Sequence, residues 1–136
     1  MDSDLYSKAI GIIRAVYGEK AEFREGQYEA IESTLTHRRS LVVQKTGWGK
    51  SLVYFVCTKI LRDSGHGATF VVSPLLALME NQLQAATKFG LCSVVLNSST
   101  KESRADDLEK IKSGQCDLVF ITPETLFSDS VQSVLP

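Results

Sequence analysis

The chain has 136 residues, enough for one domain with a real core that buries roughly two-thirds of its unfolded surface. Hydrophobic residues make up 43%, charged residues 23%, and the net charge is −1. This balance excludes a disordered, collagen-like or coiled-coil chain and the strongly basic surface that advertises nucleic-acid binding, so any nucleic-acid contact must be local, through backbone amides and a few side chains.

The first predicted element is a helix from Asp4 to Val16, where Leu5, Ala9, Ile12, Ile13 and Val16 share one stripe. Gly18 ends it. A second helix runs from about Gly26 to Thr36 with Tyr28, Ile31 and Leu35 inward, and His37-Arg38-Arg39-Ser40 is a polar turn. The period then changes. Leu41-Val42-Val43-Gln44 reads as a short apolar strand, Thr46 to Gly49 as a loop, and Lys50 to Asp63 as a helix stopped by Ser64-Gly65. Thr69 to Val72 is the next strand, Pro74 to Phe89 the next helix, and Ser93 to Leu96 a third strand. Ser99 and Glu102 have capping-box spacing, which predicts a helix from there to Ser113, with Gly114 as its stop. Leu118 to Ile121 is a fourth strand, and Thr122-Pro123-Glu124 starts a final helical turn. Short apolar strands alternating with helices predict one α/β domain, or part of one, with a parallel sheet and helices on both faces.

Cys57, Cys92 and Cys116 are far apart and form no metal-binding spacing with one another or with His37 and His66. The expectation is three reduced, mostly buried thiols and two solvated histidines. The opening residues have no basic stretch followed by an apolar run, and no apolar run approaches the ~20 residues needed to cross a bilayer. A cytoplasmic protein (nuclear in a eukaryote) with no membrane partner is expected.

The strongest chemical signal is Thr46-Gly47-Trp48-Gly49-Lys50-Ser51, after a predicted strand and before a predicted helix. Glycines let the backbone turn tightly and aim its amides at phosphate oxygens, and the helix N-terminus adds partial positive charge. Lys50 is expected to reach the β- and γ-phosphates, and the Ser51 hydroxyl to bind Mg²⁺. Gln44 stands where the longer form of this motif has its first glycine. Trp48 is bulky for such a loop and is expected to point outward, to solvent or to a partner surface.

About twenty residues earlier lies Phe23-Arg24-Glu25-Gly26-Gln27. A glutamine amide offers a donor and an acceptor at the spacing of adenine N6 and N7, so Gln27 is a candidate selector of ATP over GTP. Arg24 is placed to stack on the base or to hold the loop. Ser73-Pro74 and Thr122-Pro123 each follow a predicted strand and open a helix. Both therefore put helix amides at the sheet edge where parallel α/β proteins bind ligands, the edge expected to carry the phosphate loop as well.

F-R-x-G-Q followed by T-G-x-G-K-S resembles the opening of the RecQ family of superfamily 2 DNA helicases. Val71 to Gln82 is similar to that family's next motif, and Leu96-Asn97-Ser98-Ser99 and Ile121-Thr122-Pro123-Glu124 fall where it has like segments. The resemblance covers nearly the whole chain, in order. It implies the N-terminal part of a RecA-like P-loop motor domain that uses ATP and Mg²⁺. It also implies ATP-dependent 3′-to-5′ separation of DNA strands, in the setting of DNA repair and recombination. Single-stranded or partly duplex DNA would be gripped by its backbone at Ser73, Pro74, Asn97, Thr122, Pro123 and Glu124.

The family's adenine-stacking aromatic has no match in Glu19 to Glu22, and Tyr17 is the nearest aromatic. Thr125 stands where the family usually has Arg. The family's catalytic Asp-Glu pair, at the end of an apolar strand, is not found. Asp106-Asp107 is the only adjacent acidic pair and reads as a solvated helix face. The sheet is therefore expected to stop before the Asp-Glu strand, leaving the rest of the motor to supply hydrolysis and the chain alone to bind ATP or DNA without turnover. The competing readings are a short non-catalytic nucleotide- or DNA-binding protein that regulates a full helicase, and a small nucleotide kinase.

Overall fold

The computed structural model describes residues 3–37, 39–45, 47–74, 76–97 and 102–133. They fall into two compact units, residues 1–64 and 65–136.

The first unit is built on helices α1 (Ser3–Tyr17), α2 (Gln27–Thr36) and α3 (Lys50–Asp63). Their apolar stripes meet in a small core, where Ala9, Ile13, Ile31, Phe55 and Val56 are almost fully enclosed. Phe23 precedes α2 and packs edge-on to Tyr6, with Tyr28 between 4.9 and 5.9 Å from the two rings. This aromatic trio anchors the segment leading into α2. Gly26 bends that segment with a left-handed φ of 87°, a region a side chain enters at a cost.

The expected strand at Leu41–Gln44 does not form. These residues pair with no neighbour among the described residues, and Leu41 and Val43 are 90% and 77% exposed. An apolar run becomes a strand only where a neighbour takes up its N–H and C=O groups.

The second unit is a parallel three-stranded sheet. Its strands are β1 (Thr69–Val72), β2 (Ser93–Leu96) and β3 (Leu118–Ile121), in the order β1-β3-β2. Val72, Ile121 and Leu96 are in register across it, so the carboxyl ends of all three strands are flush. Helix α4 (Leu76–Lys88) joins β1 to β2, and α5 (Arg104–Lys112) joins β2 to β3. The short turns α6 (Pro123–Leu126) and α7 (Asp129–Gln132) follow.

One face of the sheet, with Val94, Leu96, Val119 and Ile121, packs against Leu108 and Ile111 of α5, Leu126 of α6 and Val131 of α7. Leu118 and Phe120 alternate to the other face and are just as buried. Helix α4, which packs against β2 and buries Met79 and Ala86, covers that side. Continuous apolar strands with helices on both faces are the expected α/β arrangement.

Helix starts differ from the sequence reading. Helix α4 begins at Leu76, two residues after Pro74, and α5 begins at Arg104 rather than near Ser99. Ser99 lies outside the described residues, and Ser103 occupies the N-cap position of α5, where its hydroxyl bonds Asp107 at 3.1 Å. Helix α7 was not anticipated, because four residues are too few to show a period.

Candidate functional site

The phosphate-loop residues belong to the first unit. Gly47 and Gly49 have φ of 88° and 98°, and α3 begins at Lys50 with Gly49 as its N-cap. Two left-handed residues in three fold the chain sharply enough to deliver a helix N-terminus. The first-turn N–H groups of that helix have no intrahelical acceptor. Lys50 is exposed and Ser51 is half-buried. Thr46 lies outside the described residues.

The loop is tied to the Arg24–Gln27 segment at three successive carbonyls. An Arg24 guanidinium N–H donates to the Gly47 carbonyl. The Gln27 Nε2 donates to the Trp48 carbonyl at 3.0 Å and to the Gly49 carbonyl at 3.4 Å. The Gln27 Oε1 in turn accepts from the Arg24 backbone N–H at 2.7 Å. In a planar trans peptide the N–H points opposite to the C=O. The carbonyls of Trp48 and Gly49 turn toward Gln27, so the N–H groups of Gly49 and Lys50 turn away from it.

Gln27 is only 3% exposed. Its tight fit explains the glycine at 49, where an added Cβ would lie 2.4 Å from the Gln27 Nε2. In this arrangement the Gln27 amide braces the loop. Arg24 holds the loop, one of the two roles open to it from sequence.

Trp48 departs from expectation. It points inward and is 8% exposed, with its indole N–H donating to the Glu25 carbonyl at 2.8 Å. A buried indole needs a partner for its N–H, and the turn at Gly26 supplies one. The nearest ring carbon is 3.5 Å from the Cβ position of Gly26. Trp48 also lines an open apolar concavity of about 200 Å³, together with Thr34, Val42, Lys50, Val53 and Tyr54. Burial pushes the Tyr54 phenol up to about 12. Tyr17, the nearest aromatic to the missing stacking position, is the last residue of α1 and is 59% exposed.

The other candidate residues lie in the second unit, at the flush carboxyl edge of the sheet. Ser73, Asn97 and Thr122 directly follow β1, β2 and β3. The Ser73 N–H donates to the Ile121 carbonyl at 3.0 Å and the Thr122 N–H to the Leu96 carbonyl at 3.3 Å. The ladder thus extends one residue past the strands and fixes these positions side by side. Asn97 is buried, and its carbonyl accepts a 2.6 Å bond from the Arg104 guanidinium, a contact with no signal in the sequence.

Pro123 takes the first helical position of α6, as expected. The Thr122 hydroxyl does not cap a backbone amide; it donates to the Thr125 hydroxyl at 2.9 Å. Pro74 and Glu124 are exposed. Asp106 and Asp107 sit in the first turn of α5, within a helix and not at the end of a strand. Among the described residues, no group of three or more His, Cys, Asp and Glu side chains could hold a metal ion, and no helix is long and apolar enough to cross a membrane.

The loop thus bends at two glycines, enters a helix at Lys50-Ser51 and is braced by Gln27. Residues 24–134 match the DEAD/DEAH box helicase family. The chain belongs to that family. It is 36% identical over 137 residues to the ATP-dependent DNA helicase RecQ of Haemophilus influenzae, a match that covers 96% of this chain and 21% of that protein. The corresponding helicase of Synechocystis is 37% identical, over 90% of this chain and 25% of its own length. The ATP-dependent DNA helicase Q-like 5 of Arabidopsis thaliana is 35% identical, over 86% and 12%. The chain therefore spans a quarter or less of the length of these relatives.

Proposed function

We propose that this chain is the ATP-binding portion of a RecQ-like motor that couples ATP hydrolysis to 3′-to-5′ separation of DNA strands. The observation that carries the reading is the braced loop. Its carbonyls are bound to Arg24 and Gln27, so its Gly49 and Lys50 amides face the opposite side, at the mouth of α3.

The residues present fit a polyphosphate. Backbone amides and the α3 terminus bind its oxygens, with the main chain of Gly47 to Gly49 forming the cradle. The exposed Lys50 ammonium neutralises the outer phosphates, and the half-buried Ser51 hydroxyl is an oxygen ligand suited to Mg²⁺ carried in by the nucleotide. ATP supplies the free energy of its terminal phosphoanhydride when bound; this chain's residues hold and orient it. Adenine lies against Gln27 and Arg24.

The sheet edge of the second unit, with Ser73, Pro74, Asn97, Thr122, Pro123 and Glu124, takes the backbone of single-stranded or partly duplex DNA. Its polar backbone and hydroxyl groups position a strand without reading sequence. The remainder of the motor is the implied partner, and repair and recombination are the implied settings.

Calorimetric titration tests the nucleotide site. Lys50→Ala abolishes ATP binding, and Gln27→Ala weakens ATP more than pyrophosphate. Unchanged ATP affinity in Lys50→Ala removes the phosphate-loop assignment; equal losses for the two ligands in Gln27→Ala remove the adenine role.

A further inference from the structure

The Gln27 amide has little spare capacity. Its two Nε2 hydrogens go to the Trp48 and Gly49 carbonyls, and one Oε1 lone pair goes to the Arg24 N–H. A second lone pair on Oε1 is left to accept from adenine N6. Donation to adenine N7, however, requires Nε2 to release a carbonyl. The Gly49 bond, at 3.4 Å, is longer than the Trp48 bond at 3.0 Å and is the weaker of the two. Reading a base therefore frees the Gly49–Lys50 peptide, the one that carries the Lys50 amide into the phosphate site.

Something must hold the rest of the loop while that peptide turns. The indole of Trp48 fits this task. It is buried, its N–H is fixed 2.8 Å from the Glu25 carbonyl, and its ring packs against Gly26. Glu25 and Gly26 immediately precede Gln27, so the indole is fastened to the same turn that presents the base-reading amide.

We propose that Trp48 is a positioning residue that ties the phosphate loop to the Glu25–Gln27 turn, and that this tie makes the loop's grip on phosphate depend on an adenine base. The inference rests on the nucleotide-site reading above and adds to it a specificity role for Trp48. ATP engages the tie through Gln27; a polyphosphate lacking a base does not.

The experiment uses the full 136-residue chain and compares ATP with inorganic tripolyphosphate. Trp48→Phe keeps an aromatic ring and deletes the indole N–H. Loss of one buried hydrogen bond predicts about a five- to tenfold loss of ATP affinity, with tripolyphosphate affinity within about twofold of the parent. Trp48 is the only tryptophan, so its emission in the unaltered chain gives an independent readout that needs no variant. ATP reduces quenching of Trp48 by acrylamide, and tripolyphosphate leaves it unchanged.

Equal losses of both ligands in Trp48→Phe, no loss of either, or equal protection of Trp48 by both ligands overturns the inference while leaving the phosphate site standing. Failure of the parent chain to bind either ligand overturns the nucleotide-site reading and this inference together.

Discussion

Gly49→Ala separates two physical costs that the loop imposes on one position. The first is backbone strain: a side chain at φ 98° costs on the order of 1–2 kcal/mol. The second is collision. The new Cβ would fall 2.4 Å from the Gln27 Nε2, so the amide must leave the Trp48 and Gly49 carbonyls, at about 1 kcal/mol for each buried bond lost. The sum is about 3 kcal/mol. Gly47→Ala is the internal control. Its φ is 88°, but nothing lies within 4 Å of its Cβ position, so only the strain of about 1 kcal/mol applies. Urea unfolding followed by emission of Trp48, which reports on the loop itself, reads the difference. At a slope of about 2 kcal/mol per M, the Gly49→Ala midpoint falls about 1 M below that of Gly47→Ala. Coincident midpoints, or a lower one for Gly47→Ala, would refute the claim that Gln27 is packed against the loop.

Two further expectations follow from the thiols. A thiol reagent at pH 8 modifies the exposed Cys92 first, while the buried Cys57 and Cys116 react only as the chain unfolds; equal rates for Cys57 and Cys92 would contradict the packing of α3. Burial pushes the Cys57 thiol up to about 12 from 9.0, so the folded state holds this proton longer than the unfolded state. Stability is thus intact below about pH 9 and declines as pH rises toward 12. In urea titrations Cys57→Ala shows a shallower decline over that window, and an unchanged slope would count against the burial.

Much of the fold was legible because its elements carry their own signals. Helix α3 and all three strands of the sheet occur where periodicity and flanking glycines put them. The failures in the first unit share one cause: each depended on a partner distant in sequence. Leu41–Gln44 is as apolar as β3, yet β3 has neighbours on both sides and Leu41–Gln44 has none among the described residues. Trp48 appeared suited to the surface because the group that receives its indole N–H lies 23 residues earlier. A similar separation hid the bracing role of Gln27, whose amide was readable as a base selector but not as a support for the Trp48 and Gly49 carbonyls. At the sheet edge the sequence indicated Ser73 and Thr122, since both precede prolines. It did not indicate the Arg104 contact to Asn97, or that the Thr122 hydroxyl would turn to Thr125.

The central claim concerns which atoms meet a phosphate chain, and amide-resolved NMR addresses those atoms directly. Titration of the ¹⁵N-labelled chain with ATP should move the Gly49, Lys50 and Ser51 amides furthest, because they open away from Gln27 at the start of α3. If those three signals stay still while amides elsewhere shift, the loop does not hold the nucleotide and the motor assignment of this chain fails.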